Sequence, residues 1–182
     1  MNTPIYLDYN ATTPVDPLVI KAMQPFFRHQ YANASSTTHM PGKDAKVAIE
    51  ESRESVASIS PEHPHEIVFT SGGTEAINLG LVGFYEANKD DRNHIVTVAT
   101  EHLSVLRSCE YLQSRGASLT ILPVDSQGQL NLIELEQAVT KRTLFIAVMM
   151  ANNETGTIAP IEKITEIANR KQVLLFSDAV QA

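Results

Sequence analysis

The run Ile95-Val-Thr-Val-Ala99 and the helical pattern after it, Ser104 to Arg115, decide the fold class of this chain. The run is apolar and β-branched, as strands are, and Gly116 is placed to end the helix. From residue 66 onward, a predicted strand followed by a predicted helix recurs along the chain. The predicted strands are Ile67–Thr70, Ile95–Ala99, Leu119–Val124, Leu144–Met150 and Val173–Phe176. The predicted helices are Thr74–Ala87, Ser104–Arg115, Asn131–Val139 and Ile161–Arg170.

The predicted strands are nearly continuous apolar runs. They lack the alternation of apolar and polar residues that is typical of a sheet with one solvent-exposed face. Both faces must therefore be covered, which predicts an α/β fold with a mostly parallel sheet and helices on both faces. In such sheets, ligands bind beyond the carboxyl ends of the strands. The residues that directly follow each strand are thus the first candidates for a functional site.

The N-terminal part has a different character. Residues 1–15 are rich in turn formers and predict an extended arm, with residues 16–182 as the domain. Asp16-Pro17 has the pattern of a helix start, and Pro25 is expected to end or kink that helix. A second helix is predicted further on from residues at helical spacing on one mostly apolar face, which are Ala45, Ala48, Ile49, Ser52, Val56 and Ile59.

Composition narrows the function classes. The 182 residues carry a net charge of −7 and are 43% apolar, which is typical of a globular protein and unlike a nucleic-acid binder. The single Cys109 cannot form an intramolecular disulfide, and no apolar run is long enough to span a membrane. The N-terminus lacks the features of a signal peptide. We therefore expect a cytoplasmic protein with no nucleic-acid or membrane partner.

A phosphate site is one reading of Ser71-Gly-Gly-Thr74, which follows the first predicted strand. Two glycines let the backbone approach a ligand closely, and the following helix offers unpaired N–H groups to an anion. The alternative is an ordinary glycine turn in which Thr74 caps the helix. The stretch is neither G-x-G-x-x-G nor a P-loop, so it does not predict a dinucleotide or nucleoside triphosphate site.

Polar residues follow other predicted strands. His102 comes after the second, Asn152 and Asn153 after the fourth, and Asp178 after the fifth. Each has a structural alternative: a surface histidine, an asparagine turn, or an aspartate that caps a helix. Together with the phosphate site they suit one kind of ligand, a phosphorylated planar ring with a nitrogen atom. Pyridoxal phosphate (PLP) is such a molecule.

The chain resembles the cysteine desulfurases of the class V aminotransferase family. The stretches that carry the resemblance run along the whole chain in the family's order. They are Tyr6–Pro14, Asn33–Ser36 with His39 and Gly42, Glu66–Glu75, Thr100–His102, Asn152–Gly156 and Asp178–Gln181. The resemblance implies the large domain of a PLP-dependent aminotransferase fold (fold type I), truncated, with the C-terminal remainder and the small domain absent.

The resemblance also implies roles for individual residues. Gly73 and Thr74 would hold the cofactor phosphate. His102 would stack on the ring and assist proton transfer, which makes it the one catalytic candidate. Asp178 would pair with the ring nitrogen, and Asn153 and Gln181 would contact its phenolic oxygen. Such enzymes convert L-cysteine to L-alanine and pass the sulfur, as an enzyme persulfide, to an acceptor protein; they are homodimers, and one pathway they serve is iron–sulfur cluster assembly.

Two residues of the family have no counterpart in these 182 residues. In the family, the lysine that binds the cofactor covalently and the cysteine that carries the sulfur both follow the Asp178 motif. No lysine or cysteine follows Asp178 here. Cys109 falls within a predicted helix and reads as a packed thiol. We expect the 182 residues alone to be inactive in desulfuration. His63 and His65 lack further ligands nearby, so we predict no metal site.

Three other functions stay open at this stage. The first is another class V PLP enzyme, such as a selenocysteine lyase or an aminotransferase, because the same pocket residues serve those reactions. The second is a non-catalytic phosphate-binding α/β module, which would not need Asp178 or His102. The third is a structural remnant that binds no ligand.

Overall fold

The computed structural model describes residues 5–59, 62–89 and 91–182, and the chain divides into two compact units, residues 1–69 and 70–182. The first unit holds α1 (Pro17–Arg28), α2 (Met40–Ala57) and a 3₁₀ turn at Pro64–Glu66. Residues 1–4 of the predicted arm lie outside the described part of the chain, and residues 5–15 contain a turn at residues 9–11 and no helix or strand.

Helix α1 begins as its sequence predicts. The carboxylate of Asp16 accepts a hydrogen bond from the N–H of Leu18 at 2.7 Å, and Pro17 takes the first helical position. The helix runs through Pro25 to Arg28, so of the two predicted effects of Pro25, an end or a kink, Pro25 does not end the helix. A proline removes only its own N–H, and its carbonyl still accepts from His29 at 2.8 Å.

Helix α2 is where the apolar spacing predicts it. Nδ1 of His39 accepts the N–H of Gly42 at 3.1 Å and caps the helix. A Cβ on Gly42 would lie 2.5 Å from the carbonyl oxygen of Ser36, so the preceding loop packs too tightly for another residue. Most of the predicted apolar face is exposed, including Ile49 and Val56.

The first predicted strand was wrong. Ile67–Thr70 is not part of any strand of the structure. Val68 and Phe69 are 63% and 50% exposed, and the carbonyl of Ile67 accepts a hydrogen bond from the guanidinium of Arg53. An apolar β-branched run has the propensity of a strand, but a strand also needs a neighbouring strand for its backbone groups.

The second unit is the predicted α/β sandwich. Its helices are α3 (Gly73–Asn88), α4 (Leu103–Ser114), α5 (Leu132–Ala138) and α6 (Ile161–Lys171). Its strands are β1 (His94–Val98), β2 (Ser118–Leu122), β3 (Thr143–Ala147) and β4 (Leu174–Phe176). The strands are all parallel, in the order β2-β1-β3-β4. The predicted fold class is confirmed, with four strands in place of five.

Successive residues of β1 and β3 point to opposite faces of the sheet, and both faces are covered. Ile95 and Phe145 pack with α3 and α4 in one core. Val96 and Ile146 pack with α5 and α6 in the other. Every residue of β1 and β3 is buried, which explains why the sequences of these strands are nearly continuous apolar runs.

The helix ends follow local signals. The side chain of Asn131 accepts from the N–H groups of Ile133 and Glu134 and starts α5. Gly116 follows α4 with a φ of 103°, in the left-handed region that glycine adopts easily. No helix in the described ranges is long and apolar enough to cross a membrane.

Candidate functional site

The ends of three neighbouring strands are tied together at the carboxyl edge of the sheet. The side-chain amide of Asn152, beyond β3, donates to the carbonyl of Thr100, beyond β1, at 2.9 Å. The N–H of Met150 donates to the carbonyl of Asp178, beyond β4, at 2.8 Å. These contacts bring the segments that follow β1, β3 and β4 side by side, as the sequence predicts for a parallel sheet.

Asp178 is the buried acid of this edge, with 8% of its surface exposed. Its Oδ1 accepts a hydrogen bond from the N–H of Val180 at 3.0 Å. This contact turns the chain directly after β4. Its burial follows from its place just beyond β4, at the edge of the sheet.

The start of α3 lies against that same turn. A Cβ built on Gly73 would lie 3.1 Å from Cγ2 of Val180, so the backbone of Gly73 comes closer than a larger residue would allow without a shift. Thr74 is exposed in the first turn of the helix. The N–H groups of a first helical turn have no carbonyl partner within the helix and are available to an anion.

Glu75 already occupies part of this turn. Its Oε2 accepts from the N–H of Ser71 at 2.7 Å and from the Ser71 hydroxyl at 2.5 Å. The side-chain bond and then the backbone bond lower the pKa of the Glu75 carboxyl below its ordinary value. The Glu75 carboxylate is thus bound to Ser71, and the N–H groups of the first turn, which include those of Gly73 and Thr74, are not its partners.

His102 stands at the start of α4. Its Nδ1 accepts the N–H of Ser104 at 3.2 Å and lies 2.6 Å from the Ser104 hydroxyl oxygen. His102 therefore caps α4 through Nδ1, as expected for a histidine at a helix start. The side chain is exposed, so its ring remains accessible beside the edge of the sheet.

Asn153 and Gln181 are both half-buried. The turn that carries Asn153 is built by its neighbour, because Oδ1 of Asn152 accepts from the N–H groups of Glu154 and Thr155 at 3.0 and 2.9 Å. Asn152 thus shapes this turn, as the structural alternative of an asparagine turn predicts.

Glu101 is a functional candidate that the sequence analysis missed. It is 6% exposed, and its Oε1 accepts the N–H of Met149 at 2.7 Å. Its Oε2 is buried without a hydrogen-bond partner. Burial, with a smaller contribution from the negative charge of Asp178, raises the pKa of Glu101 from 4.5 to about 7 against the opposing effect of the Met149 bond. The available signal was an acid directly after a buried strand.

Cys109 is confirmed as a packed thiol. It is 0% exposed in the core between the sheet and the helices α3 and α4. Burial, and then the charges of Glu101 and Glu110, raise its pKa to about 12. A thiol in this state is a poor nucleophile.

Lysine and metal ligands are not gathered at this edge. The lysines at 21, 43, 46, 141, 163 and 171 are exposed, and Lys89 pairs with Glu86 at 2.5 Å near the end of α3. In the part of the chain that the structure describes, no group of three or more His, Cys, Asp or Glu residues is placed to hold a metal ion. His63 and His65 stack on each other with ring centroids 5.5 Å apart.

Comparison with known proteins identifies relatives along the whole chain. The chain is 40% identical over 181 residues to a protein named cysteine desulfurase IscS from Rickettsia africae (strain ESF-5), and 43% identical over 182 residues to one of the same name from Ehrlichia chaffeensis (strain ATCC CRL-10679 / Arkansas). These alignments cover 100% of this chain and 44% of each relative. The chain therefore spans less than half the length of these curated relatives.

Solved structures give the same picture. A NifS-like protein superposes with a TM-score of 0.95 at 40% identity, over 99% of this chain and 50% of that one. A structure described as SspA in complex with cysteine gives 0.92 at 34% identity, over 97% of this chain and 51% of that one. Residues 5–182 match the family described as Aminotransferase class-V. The chain belongs to the class V aminotransferase family.

Proposed function

We propose that this chain is the PLP-binding part of a cysteine desulfurase, an enzyme that converts L-cysteine to L-alanine and passes the sulfur through an enzyme persulfide to an acceptor protein. The observation that carries the proposal is the buried carboxylate of Asp178, which lies on the turn that packs against the glycine start of α3. The names of the relatives and the cysteine in one solved structure support the choice of reaction and substrate.

The described residues fit PLP at its two ends. Gly73 and Thr74 lie in the first turn of α3, whose N–H groups can bind a phosphate, and the close contact of Gly73 with Val180 brings this turn beside the segment of Asp178. At the other end, a buried carboxylate such as Asp178 needs a positive partner, and a protonated ring nitrogen is one.

Each site residue then has a task. Gly73 and Thr74 bind the phosphate through backbone N–H groups and the threonine hydroxyl. Asp178 would hold the proton on the ring nitrogen, and Asn153 and Gln181 would contact the phenolic oxygen of the ring. When bound, PLP supplies an electron sink for the substrate's Cα.

His102 is the proposed proton carrier. Because Ser104 donates to its Nδ1, the ring is oriented with Nε2 away from α4. In this orientation the imidazole can stack on a planar ligand and exchange a proton with the substrate at Nε2.

The whole reaction needs groups beyond those in these 182 residues. No lysine follows Asp178, and the buried Cys109 is unsuited to carry sulfur. We therefore propose that the 182 residues bind the cofactor without turning over cysteine. The same proposal has two further parts. The chain consists of an arm, residues 1–15, and an incomplete large domain, residues 16–182. The full-length enzyme is a cytoplasmic homodimer that serves iron–sulfur cluster assembly.

The test is PLP binding to the purified chain, measured by equilibrium dialysis and by absorbance. The wild-type chain should bind PLP, and Asp178→Ala should bind it about tenfold or more weakly, which corresponds to the loss of one charged hydrogen bond. Asp91→Ala removes an exposed acid and serves as the matched control. Equal affinity of the Asp178→Ala and wild-type chains would favour a simple phosphate-binding module, and production of alanine from cysteine by the chain alone would refute the inactive state.

A further inference from the structure

Glu101 joins two strand ends through one carboxyl group. It follows β1, and its Oε1 accepts the N–H of Met149, which follows β3, at 2.7 Å. Asn153, on the same segment as Met149, is one of the proposed ring contacts. A change at Glu101 would therefore move the segment that carries Asn153 without touching the cofactor.

The second oxygen of Glu101 has an unusual position. Oε2 is buried and has no hydrogen-bond partner, and in the described ranges no basic side chain forms an ion pair with Glu101. An ionised carboxylate is strongly disfavoured in such a place, whereas a carboxylic acid carries no charge and can donate its proton.

The groups that face Glu101 add no positive charge. Asp178 approaches from beyond β4, and its negative charge opposes ionisation of Glu101. Cys109 approaches from α4 as a neutral thiol. His102 is its neighbour along the chain and turns its Nδ1 toward Ser104.

Glu101 also lines a cavity of about 50 Å³. Its lining is uncharged apart from Glu101 and includes the polar residues Thr100, Gln129, Asn152, Thr155 and Thr157. About 10–15 Å³ is enough for one water molecule when polar groups surround it. The cavity is thus large enough for water beside Glu101.

We propose that Glu101 is a positioning residue of this edge: as an uncharged carboxylic acid it holds the end of β3 through Met149 and leaves Asp178 as the single negative charge beside the ring site. The part that concerns the ring site rests on the proposed function. The hydrogen bond and the charge state of Glu101 do not, and they can be measured on the chain without cofactor.

The first experiment follows the carboxyl-carbon NMR signal of Glu101 with pH in the cofactor-free chain, assigned by its loss in Glu101→Gln. Its midpoint should lie near 7, well above the ordinary 4.5. Asp178→Asn should move that midpoint to lower pH, because it removes the neighbouring charge. A midpoint near 4.5, or one that does not respond to Asp178→Asn, would overturn the proposal.

The second experiment measures hydrogen exchange of the Met149 amide. Glu101→Gln keeps a carbonyl oxygen in place and should preserve protection, while Glu101→Ala should lose it. Glu154→Gln makes the same chemical change at an exposed position near this edge and is the control. If the amide stays protected in Glu101→Ala, Glu101 does not position this segment.

The third experiment adds PLP at about pH 6, where Glu101 is protonated. Glu101→Gln should bind PLP as the wild type does, and Glu101→Ala about tenfold more weakly, since the Asn153 segment is loosened. Full affinity in Glu101→Ala would overturn the link to the ring site. Failure of the wild-type chain to bind PLP would instead overturn the proposed function and leave the first two measurements to decide the role of Glu101.

Discussion

The backbone of Gly80, in the middle of α3, lies directly against the ring of Phe176 at the end of β4. A Cβ on Gly80 would lie 2.7 Å from Cε2 of Phe176, closer than real contacts allow. Gly83, one turn further along the same helix, has no atom within 4 Å of the corresponding position. One glycine therefore sets how closely α3 approaches the sheet, and the other does not.

This pair predicts opposite effects of the same substitution. Gly80→Ala should lower the free energy of unfolding, because overpacking costs about 1–3 kcal/mol and exceeds a helix-propensity gain of about 1 kcal/mol. Gly83→Ala should raise the free energy of unfolding by up to about 1 kcal/mol, since only the propensity gain applies. Urea unfolding of both variants gives the comparison. A Gly80→Ala chain as stable as Gly83→Ala would show that the ring moves aside freely.

A second prediction concerns His94, which joins three strands at the amino edge of the sheet. Its Nδ1 lies 2.8 Å from the hydroxyl oxygen of Thr143 on β3, and its Nε2 lies 2.9 Å from that of Thr120 on β2. Burial, and then the charge of Arg142, lower the pKa of His94 below its ordinary 6.5. The folded state therefore resists protonation of this ring.

Stability contributed by a group of this kind is present above its unfolded pKa and is lost as pH falls through the lower folded value. Below pH 6.5, the free energy of unfolding of the wild type should fall more steeply than that of His94→Gln, which cannot titrate. His29→Gln changes an exposed histidine and should follow the wild type. Parallel curves for the wild type and His94→Gln would contradict the prediction.

The pH dependence that Glu101 contributes runs the other way. Because the pKa of Glu101 is raised, its contribution to the free energy of unfolding falls as pH rises from 4.5 to about 7.

The sequence was sufficient for features that depend on neighbouring residues. The buried runs around Val96 and Ile146, the cap at Asn131 and the burial of Asp178 all follow from local patterns, and all are present. The sequence was insufficient for features that depend on residues distant along the chain. Ile67–Thr70 has the composition of a strand but no paired strand, and the burial of Glu101 depends on the packing of α4, β3 and β4 around it.

The third prediction tests the close approach at the start of α3. Gly73→Ala places a methyl group 3.1 Å from Val180 and should weaken PLP binding about fivefold to tenfold, because it displaces the turn that carries Asp178. Gly72→Ala is the matched control, since its Cβ meets nothing within 4 Å and its φ of 162° is extended backbone. Dialysis with PLP measures both variants. Equal loss in the two would indicate that the loop tolerates no side chain at all, and that Val180 is irrelevant to the site.

The last prediction concerns Cys109 and asks whether the only thiol of the chain is chemically available. Burial raises its pKa from the ordinary 9.0 to about 12, so near neutral pH the reactive thiolate is far scarcer than in an exposed cysteine. Its side chain is also fully buried, so a reagent reaches it only when the core opens. Iodoacetamide should therefore leave the native chain unmodified over a time in which the urea-unfolded chain reacts completely. The control is the double variant Cys109→Ser, Ser114→Cys, which places the thiol at an exposed position of the same helix. If native Cys109 reacts as fast as that control, the thiol is accessible, and a sulfur-carrying role for it has to be reconsidered.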